Sequence, residues 1–216
     1  MKKIFLLGFL AISMVALAQQ VTPVTVQIAE LKIDSLRAVY LSQPPMYRTA
    51  LEMQAAELEQ SRKGLEAAKA TLKAEQKHAK EMGVAIKDAA KMATNLKKLY
   101  IKEQTELKAM QKNIEKQQKT LSKQSDLNDA SRKAYSRLLE REQRELGDAA
   151  DEVASRISSM SELETTLQNE QTNLQSFNTQ VAQKALEIQR LETVYKERLT
   201  ILKAEQKAAK SLQNNP

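Results

Sequence analysis

Four lysines are the residues whose type and spacing could most directly act on another molecule. Lys69, Lys73, Lys77 and Lys80 recur at intervals of three or four residues, so a helix would place them on one face. Such a basic stripe could bind an acidic protein partner or anionic lipid, and the alternative interpretation is a solvated helix face. His78 lies beside the stripe and is interpreted as a solvated surface histidine rather than a metal ligand.

The sequence offers no further groups for catalysis or metal binding. The chain has no cysteine and a single histidine, which excludes disulfides and thiolate metal sites and argues against a histidine-based site. It has no glycine-rich phosphate loop and no nucleophile motif, and no pair of carboxylates stands out from the acidic residues spread over the polar faces. We therefore expect no enzyme activity, no cofactor and no metal.

The basic stripe must be positioned by a long helix, because a seven-residue comb of apolar side chains runs through the chain twice. The first comb is Leu51, Leu58, Leu65, Leu72, Ala79, Ile86, Ala93, Tyr100, Leu107, Ile114 and Leu121. The second comb is Leu139, Leu146, Val153, Met160, Leu167, Leu174, Val181, Ile188, Tyr195, Leu202 and Ala209. A strict period of seven is typical of one face of a supercoiled helix, since 3.5 residues per turn keeps the stripe directed at a partner. The interaction seam is expected to use Leu72, Ile86, Tyr100, Leu107, Ile114, Leu146, Val153, Leu167, Leu174, Ile188, Tyr195 and Leu202.

The composition also indicates long helices rather than a globular core. Of 216 residues only four are glycine and four proline, aromatic residues make up 4 %, and there is no tryptophan. A chain rich in Ala, Leu, Glu, Lys and Gln with this period is typical of a coiled coil. The formal charge of +7 falls to +5 without Lys2 and Lys3, and this excess is too modest to indicate nucleic-acid binding.

Residues 1–18 have the layout of a signal peptide. Lys2 and Lys3 precede an apolar run that ends in Ala16-Leu17-Ala18, a small-x-small cleavage site. The run is short for the ~20 residues that span a bilayer, although an uncleaved anchor is the alternative. We therefore expect cleavage near Ala18 and a periplasmic or secreted protein.

Residues 19–43 do not follow the comb. Val24, Val26 and Ile28 alternate with polar residues, which predicts a short strand. The apolar residues that follow step at helical spacing and predict a helix of two or three turns. Pro44-Pro45 ends this segment, because proline lacks an N–H and disfavours a helical residue before it. The first coiled-coil arm is predicted at 44–124.

The core position three residues after each comb residue, here called the second row, is mixed in the first arm. Toward the prolines it is polar, with Gln54, Ser61 and Glu75, whereas between Met82 and Ile114 both rows are mostly apolar. Packing between the arms is therefore expected to be best in that apolar stretch. The end near the prolines should be looser, or should face something other than a tight two-stranded partner.

Residues 125–131 form a polar break that is predicted to be a turn, and a second arm follows at 132–213. In a hairpin with Leu121 opposite Leu139, facing position numbers sum to 260. This register also sets a lysine-rich stretch of the first arm against an acidic stretch of the second. Charge complementarity and equal arm lengths favour an all-α antiparallel helical hairpin. A continuous coiled-coil rod is the alternative, because the break contains no glycine or proline.

Two six-residue words are identical in the two arms: Leu72-Lys-Ala-Glu-Gln-Lys77 and Leu202-Lys-Ala-Glu-Gln-Lys207. A third, Leu107-Lys-Ala-Met-Gln-Lys112, is close to both, and each word begins on a comb residue. An internal duplication and convergence within a biased composition are both consistent with these words.

Two short motifs near the start of the chain carry a family resemblance. Asp34-Ser35-Leu36 follows the predicted strand, and Pro45-Met46-Tyr47-Arg48-Thr49-Ala50 opens the long helix. With the signal peptide and the basic helical arms, residues 24–80 resemble the Skp/OmpH-type periplasmic chaperones. The resemblance implies arms that hold unfolded envelope proteins. That family ends in strands that complete a trimeric body, whereas this chain is predicted to end in helix.

Two functions are consistent with these patterns. A structural or adaptor component of an envelope assembly would use the combs to pair with defined helices, and a holding chaperone would keep apolar surface open for unfolded proteins. The strict register of the combs favours the adaptor. In both cases we expect protein partners or further copies of this chain, bound through coiled coil, with peripheral contact to the envelope through the basic stripe.

Overall fold

The computed structural model describes residues 21–124 and 128–214, with side chains described as far as residue 211. Three helices follow in order: α1 is Ile33–Tyr40, α2 is Pro44–Lys123 and α3 is Asp129–Asn214. The two long helices pack against each other, which confirms the predicted all-α antiparallel hairpin over the continuous rod. The predicted signal peptide, residues 1–18, and residues 125–127 of the predicted turn lie outside the described residues.

The ends of the helices follow from local backbone chemistry. Pro44 opens α2, where its missing N–H would have no partner within the helix, and the carbonyl of Gln43 accepts a hydrogen bond from Tyr47 N at 3.0 Å. Asn128 caps α3, because its side-chain oxygen accepts a hydrogen bond from Ser131 N at 2.8 Å. The helix therefore begins at Asp129, inside the segment predicted as turn.

The described residues divide into two compact units. The turn unit is residues 83–172, and the strap unit is residues 21–82 with 173–214. In the turn unit, Lys97 bonds to Glu164 and Gln118 to Gln143, pairs whose numbers each sum to 261. The register within this unit is therefore within one residue of the predicted sum of 260.

In the turn unit, the closest packing lies near residues 83 and 172, the two ends of the unit in sequence. Ala89, Ala93 and Leu167 form a buried cluster, whereas Tyr100 and Leu107 are only half-buried and Met110 is 54 % exposed. The prediction of close packing from Met82 to Ile114 is therefore wrong for the stretch between Ala93 and Ile114, although Ile114 itself is buried. The second row there contains Glu103 and Gln117, both of which stay exposed, so it adds little apolar burial to the comb.

The strap unit contains the largest buried side chains. Its core consists of Ile33, Tyr47, Leu51, Leu58, Leu202 and Ala209. Side chains from α1 and from the residues before it, including Ile28 and Leu31, pack on this core. The end near the prolines is thus tightly packed, and it faces a third element in addition to the second long helix.

Residues 21–32, here called the strap, form neither helix nor strand. The strand predicted at Val24–Ile28 is therefore wrong. A strand requires a neighbouring strand to satisfy its N–H and C=O groups. The backbone of the strap bonds instead to side chains of the two long helices, as described next.

Candidate interaction site

The strap lies along α2 and donates backbone hydrogen bonds to second-row side chains. Lys32 N donates to Gln54 Oε1 at 3.1 Å, Ala29 N to Ser61 Oγ at 2.9 Å, and Thr22 N to Glu75 Oε1 at 3.0 Å. These three acceptors are the residues that make the second row polar toward the prolines. They are polar because they face a main chain and not a packed apolar helix.

The spacing of these contacts shows that the strap is extended. It advances ten residues, from Lys32 back to Thr22, while the acceptors advance 21 residues along α2 from Gln54 to Glu75. At 1.5 Å per helical residue the acceptors span about 32 Å, so each strap residue covers about 3.2 Å. This is nearly the full reach of a polypeptide, and the strap has no room for a turn.

Side chains of α3 hold the strap from the other side. Arg198 donates through Nη1 to the carbonyl oxygens of Ile28 and Ala29. Lys184 donates to Thr22 Oγ1 at 2.9 Å. The strap therefore occupies a groove between α2 and α3, and most of the hydrogen bonds that hold it there are made to its main chain.

Gly64 of α2 allows the strap to approach the helix closely. A Cβ atom at this position would lie 3.3 Å from Val26 Cγ1 and 3.5 Å from Val26 Cγ2, which is tight for a carbon contact. The helix therefore accepts a glycine, which is unfavourable by about 1 kcal/mol relative to alanine, where the strap crosses it.

A buried ion pair holds the N-terminal end of the strap in place. Lys184 Nζ lies 2.8 Å from Glu75 Oε2, and the side chains are 5 % and 13 % exposed. Glu75 also accepts from Thr22 Oγ1 at 2.7 Å. Burial opposes the charge of Glu75, but the hydrogen bonds from Lys184 and Thr22 outweigh it and lower its pKa.

A second buried carboxylate fixes α1, which follows the strap. Glu205 of α3 accepts hydrogen bonds from the guanidinium of Arg37 and from the hydroxyl of Tyr47. The hydrogen bond from Arg37 lowers the pKa of Glu205 despite burial, with a further contribution from Tyr47. Burial, followed by the hydrogen bond to Glu205, raises the pKa of the Tyr47 phenol. Tyr47, Arg37 and Glu205 thus join the start of α2, α1 and the end of α3.

Both carboxylates occupy the same place in the two identical words. Glu75 is the fourth residue of Leu72–Lys77, and Glu205 is the fourth residue of Leu202–Lys207. The third, similar word has Met110 there, which is exposed and belongs to the turn unit. Each of the two words therefore places a second-row carboxylate against a cation.

The four lysines of the basic stripe are all exposed in the strap unit. Lys69 pairs with Glu192 of α3, and Lys77 lies 3.7 Å from Glu81 of its own helix. The hydrogen bond from Lys69 lowers the pKa of Glu192. Anion binding by the stripe stays a prediction.

The interpretation of His78 as a solvated surface residue is wrong. Its side chain is half-buried, its Nε2 atom is buried without a hydrogen-bond partner among the described residues, and its ring packs edge-on against Phe177 at 6.2 Å. The apolar ring of Phe177 on the facing helix explains the burial. The comb does not predict this contact, because His78 lies outside it.

Every residue of the predicted interaction seam is at least half-buried. The fully buried members are Ile86, Ile114, Val153, Leu167, Leu174, Ile188 and Leu202. The half-buried members are Leu72, Tyr100, Leu107, Leu146 and Tyr195. The ring of Tyr100 lies 5.6 Å from the Arg156 guanidinium, an arrangement that suits a packing residue. The seam therefore faces inward.

Several large apolar side chains of the strap unit remain on the surface. Val39, Leu41, Met46 and Met53 are 60 %, 49 %, 55 % and 60 % exposed. They come from α1, the turn after it and the first turns of α2. The combs do not predict them as a group, since they fall outside the seven-residue series.

The described part of the chain contains no candidate metal site and no candidate membrane span. Residues 21–124 and 128–214 contain no group of three or more acidic or histidine side chains placed to hold a metal ion. No helix in the same ranges is long and apolar enough to cross a membrane. Comparisons with family models, curated proteins and solved structures find no match for this chain.

Proposed function

We propose that this chain is a secreted or periplasmic coiled-coil interaction protein that serves as a structural or adaptor component of an envelope assembly. The observation that carries the proposal is the burial of the combs. No comb residue is exposed, because the combs of α2 and α3 are covered within the chain itself. An adaptor needs a seam that is matched in this way, whereas a chaperone that holds clients in its seam needs it open.

The partners of such an adaptor would bind the outside of the hairpin. Val39, Leu41, Met46 and Met53 supply exposed apolar area in the strap unit. The lysines of the stripe supply positive charge for an acidic partner or for peripheral contact with anionic lipid. Neither feature calls for catalysis.

The alternative is a periplasmic holding chaperone, and the exposed apolar residues of the strap unit favour it. Weak apolar contacts from such residues would hold unfolded envelope proteins without a defined partner. The resemblance of residues 24–80 to Skp/OmpH-type chaperones supports the same function. The two hypotheses differ in how many kinds of protein are bound.

Site-specific photo-crosslinking in the native envelope distinguishes them. A photoreactive residue at Met53, which is 60 % exposed, is expected to capture a few proteins in stoichiometric amounts. The matched control is the same residue at Leu58, five positions along the helix and 1 % exposed, which should capture none of them. Capture of a broad set of unfolded envelope proteins at Met53 would replace the adaptor with the chaperone.

The location is tested separately. Intact-mass measurement of the protein purified from its native envelope is expected to give a chain that begins near Gln19. A chain that retains Met1 would contradict the proposed signal peptide and would make the hairpin an anchored stalk.

A further inference from the structure

The contacts of the strap are of a kind that another chain could reproduce. Ser61 and Gln54 accept hydrogen bonds from amide N–H groups, and Arg198 donates hydrogen bonds to carbonyl oxygens. These contacts bind an extended main chain and depend little on its side chains. The close approach of Val26 to Gly64 adds one position where a small or β-branched residue fits. A site built in this way can take any extended segment that carries the same pattern.

The strap and α1 together form one segment, residues 21–40, here called the exchange element. Only Leu41, Ser42 and Gln43 connect it to α2. Within that connection the turn is closed by hydrogen bonds from Leu41 N to Arg37 O, at 3.1 Å, and from Gln43 N to Tyr40 O, at 2.8 Å. Opening the connection breaks the second of these and changes few dihedral angles. The proline that follows it favours an extended residue at Gln43.

The surface next to this connection carries several exposed apolar side chains. Val39 and Leu41 lie in or beside it, and Met46 and Met53 lie on the first turns of α2, all about half exposed or more. When two copies exchange an identical terminal element, their connecting segments come together and bury whatever surrounds them. The exposed apolar residues stand where such an exchange would cover them.

We propose that the groove between α2 and α3 binds the strap of a second copy of this chain, by reciprocal exchange of residues 21–40. All contacts of the exchange element reform in the partner, including those of Thr22, Arg37 and Ala29, because both copies carry the same groove. The closed chain has the advantage of a tethered strap, so exchange increases with protein concentration. This inference concerns self-association and does not depend on the envelope partners proposed above.

The absence of native cysteine allows a direct test with single-cysteine variants of the full chain. A Cβ at Gly64 would lie 3.9 Å from Val26 Cβ, which matches the separation of about 3.8 Å in disulfides. Val26→Cys protein and Gly64→Cys protein, one carrying a size tag, are mixed under reducing conditions, incubated at several concentrations and then oxidised. Exchange predicts a covalent heterodimer linked through positions 26 and 64, with a yield that increases with concentration.

Gly147→Cys supplies the matched control, since Gly147 is also a helical glycine but has nothing within 4 Å of its Cβ position. Mixed with the Val26→Cys protein, it is expected to give several-fold less heterodimer. Equal yields with the two partners would mean random collision and would overturn the proposal. A double variant, Val26→Cys with Gly64→Cys, should crosslink within one chain at low concentration. If only this intrachain product forms at every concentration, or if it fails to form, the exchange is refuted.

Discussion

Glu75 of α2 and Lys184 of α3 form a buried ion pair, and Thr22 of the strap is hydrogen-bonded to both. The three residues come from three different segments, so the pair holds the long helices together and fixes the end of the strap at once. Both charges have lost their hydration, so each is stable at this position only while the opposite charge is present.

Replacement of Lys184 by methionine is therefore expected to destabilise the protein strongly. The variant leaves the carboxylate of Glu75 buried without a countercharge, which costs about 3 kcal/mol in the free energy of unfolding. Urea unfolding followed by far-UV circular dichroism measures this loss. A second variant that also carries Glu75→Leu should recover most of it, since no buried charge remains. Lys73→Met, at an exposed position, is the control, and a similar effect there would contradict the role of the pair.

The stability of the strap unit is expected to fall in acid. The pKa values of Glu75 and Glu205 are lowered in the folded protein, so both carboxylates stabilise it fully above their unfolded pKa of about 4.3. This stabilisation is lost as the pH falls further, through the lower folded pKa values. Urea unfolding at a series of pH values from 7 to 3 should show the decrease.

A variant with Glu75→Gln and Glu205→Gln is the comparison for that measurement. It is expected to be less stable at pH 7 and to lose less stability on acidification. The remaining slope comes from other carboxylates with lowered pKa values, such as Glu192. Identical slopes in the variant and the parent protein would show that the two buried carboxylates do not control the acid response.

Gly64 and Gly147, which both lie within long helices, should respond differently to alanine. Gly147→Ala is expected to raise the free energy of unfolding by about 1 kcal/mol, because the helix gains propensity and the new methyl group meets nothing. Gly64→Ala should gain less, since its methyl group presses on Val26. In a Val26→Ala background the two gains should become similar. Equal gains in the parent chain would mean that the strap does not lie against Gly64.

Charges placed in the seam of the turn unit should open it. Val153 is 2 % exposed and Leu107 is half-buried, so aspartate at both positions is expected to cost roughly 3 kcal/mol or more. Thermal melts followed by circular dichroism, and capture of the proposed envelope partners, both test the variant. Leu99→Asp, at a residue that is 61 % exposed, is the control and should change stability by about 0.5 kcal/mol or less. Unchanged melting and unchanged capture in the seam variant would show that the combs are not what holds the arms.

The combs and the charge pattern together predicted the hairpin and, to within one residue, the register of the turn unit. A period of seven fixes which face of each helix turns inward, and the complementary charges selected the antiparallel arrangement. Lys97 with Glu164 matches the predicted register to within one residue. Other charged residues of the turn unit pair along their own helix, as Arg141 does with Glu145, so the complementarity acts less through direct contacts than the charge pattern indicates.

The strap could be predicted only in part, as something other than a tight two-stranded partner. The polarity of Gln54, Ser61 and Glu75 indicates that this part of the second row does not face apolar side chains. Their sequence cannot say whether they bind water, another protein or the main chain of residues 21–32. The alternating residues Val24, Val26 and Ile28 do indicate an extended conformation, but the hydrogen bonds of an extended segment depend on its tertiary neighbours.

The strap runs alongside the second row of α2, and each strap residue covers about twice the length of a helical residue. The length of the strap therefore has to match the length of helix that it follows. Two heptads of α2 separate Ser61 from Glu75, and seven strap residues separate Ala29 from Thr22. A single added heptad would correspond to about three and a half extended residues, so no whole number of strap residues would match it. In evolution or in design, the strap unit can therefore be lengthened only in increments of two heptads with seven strap residues. The turn unit, along which no described strap residue lies, is free to change by one heptad at a time.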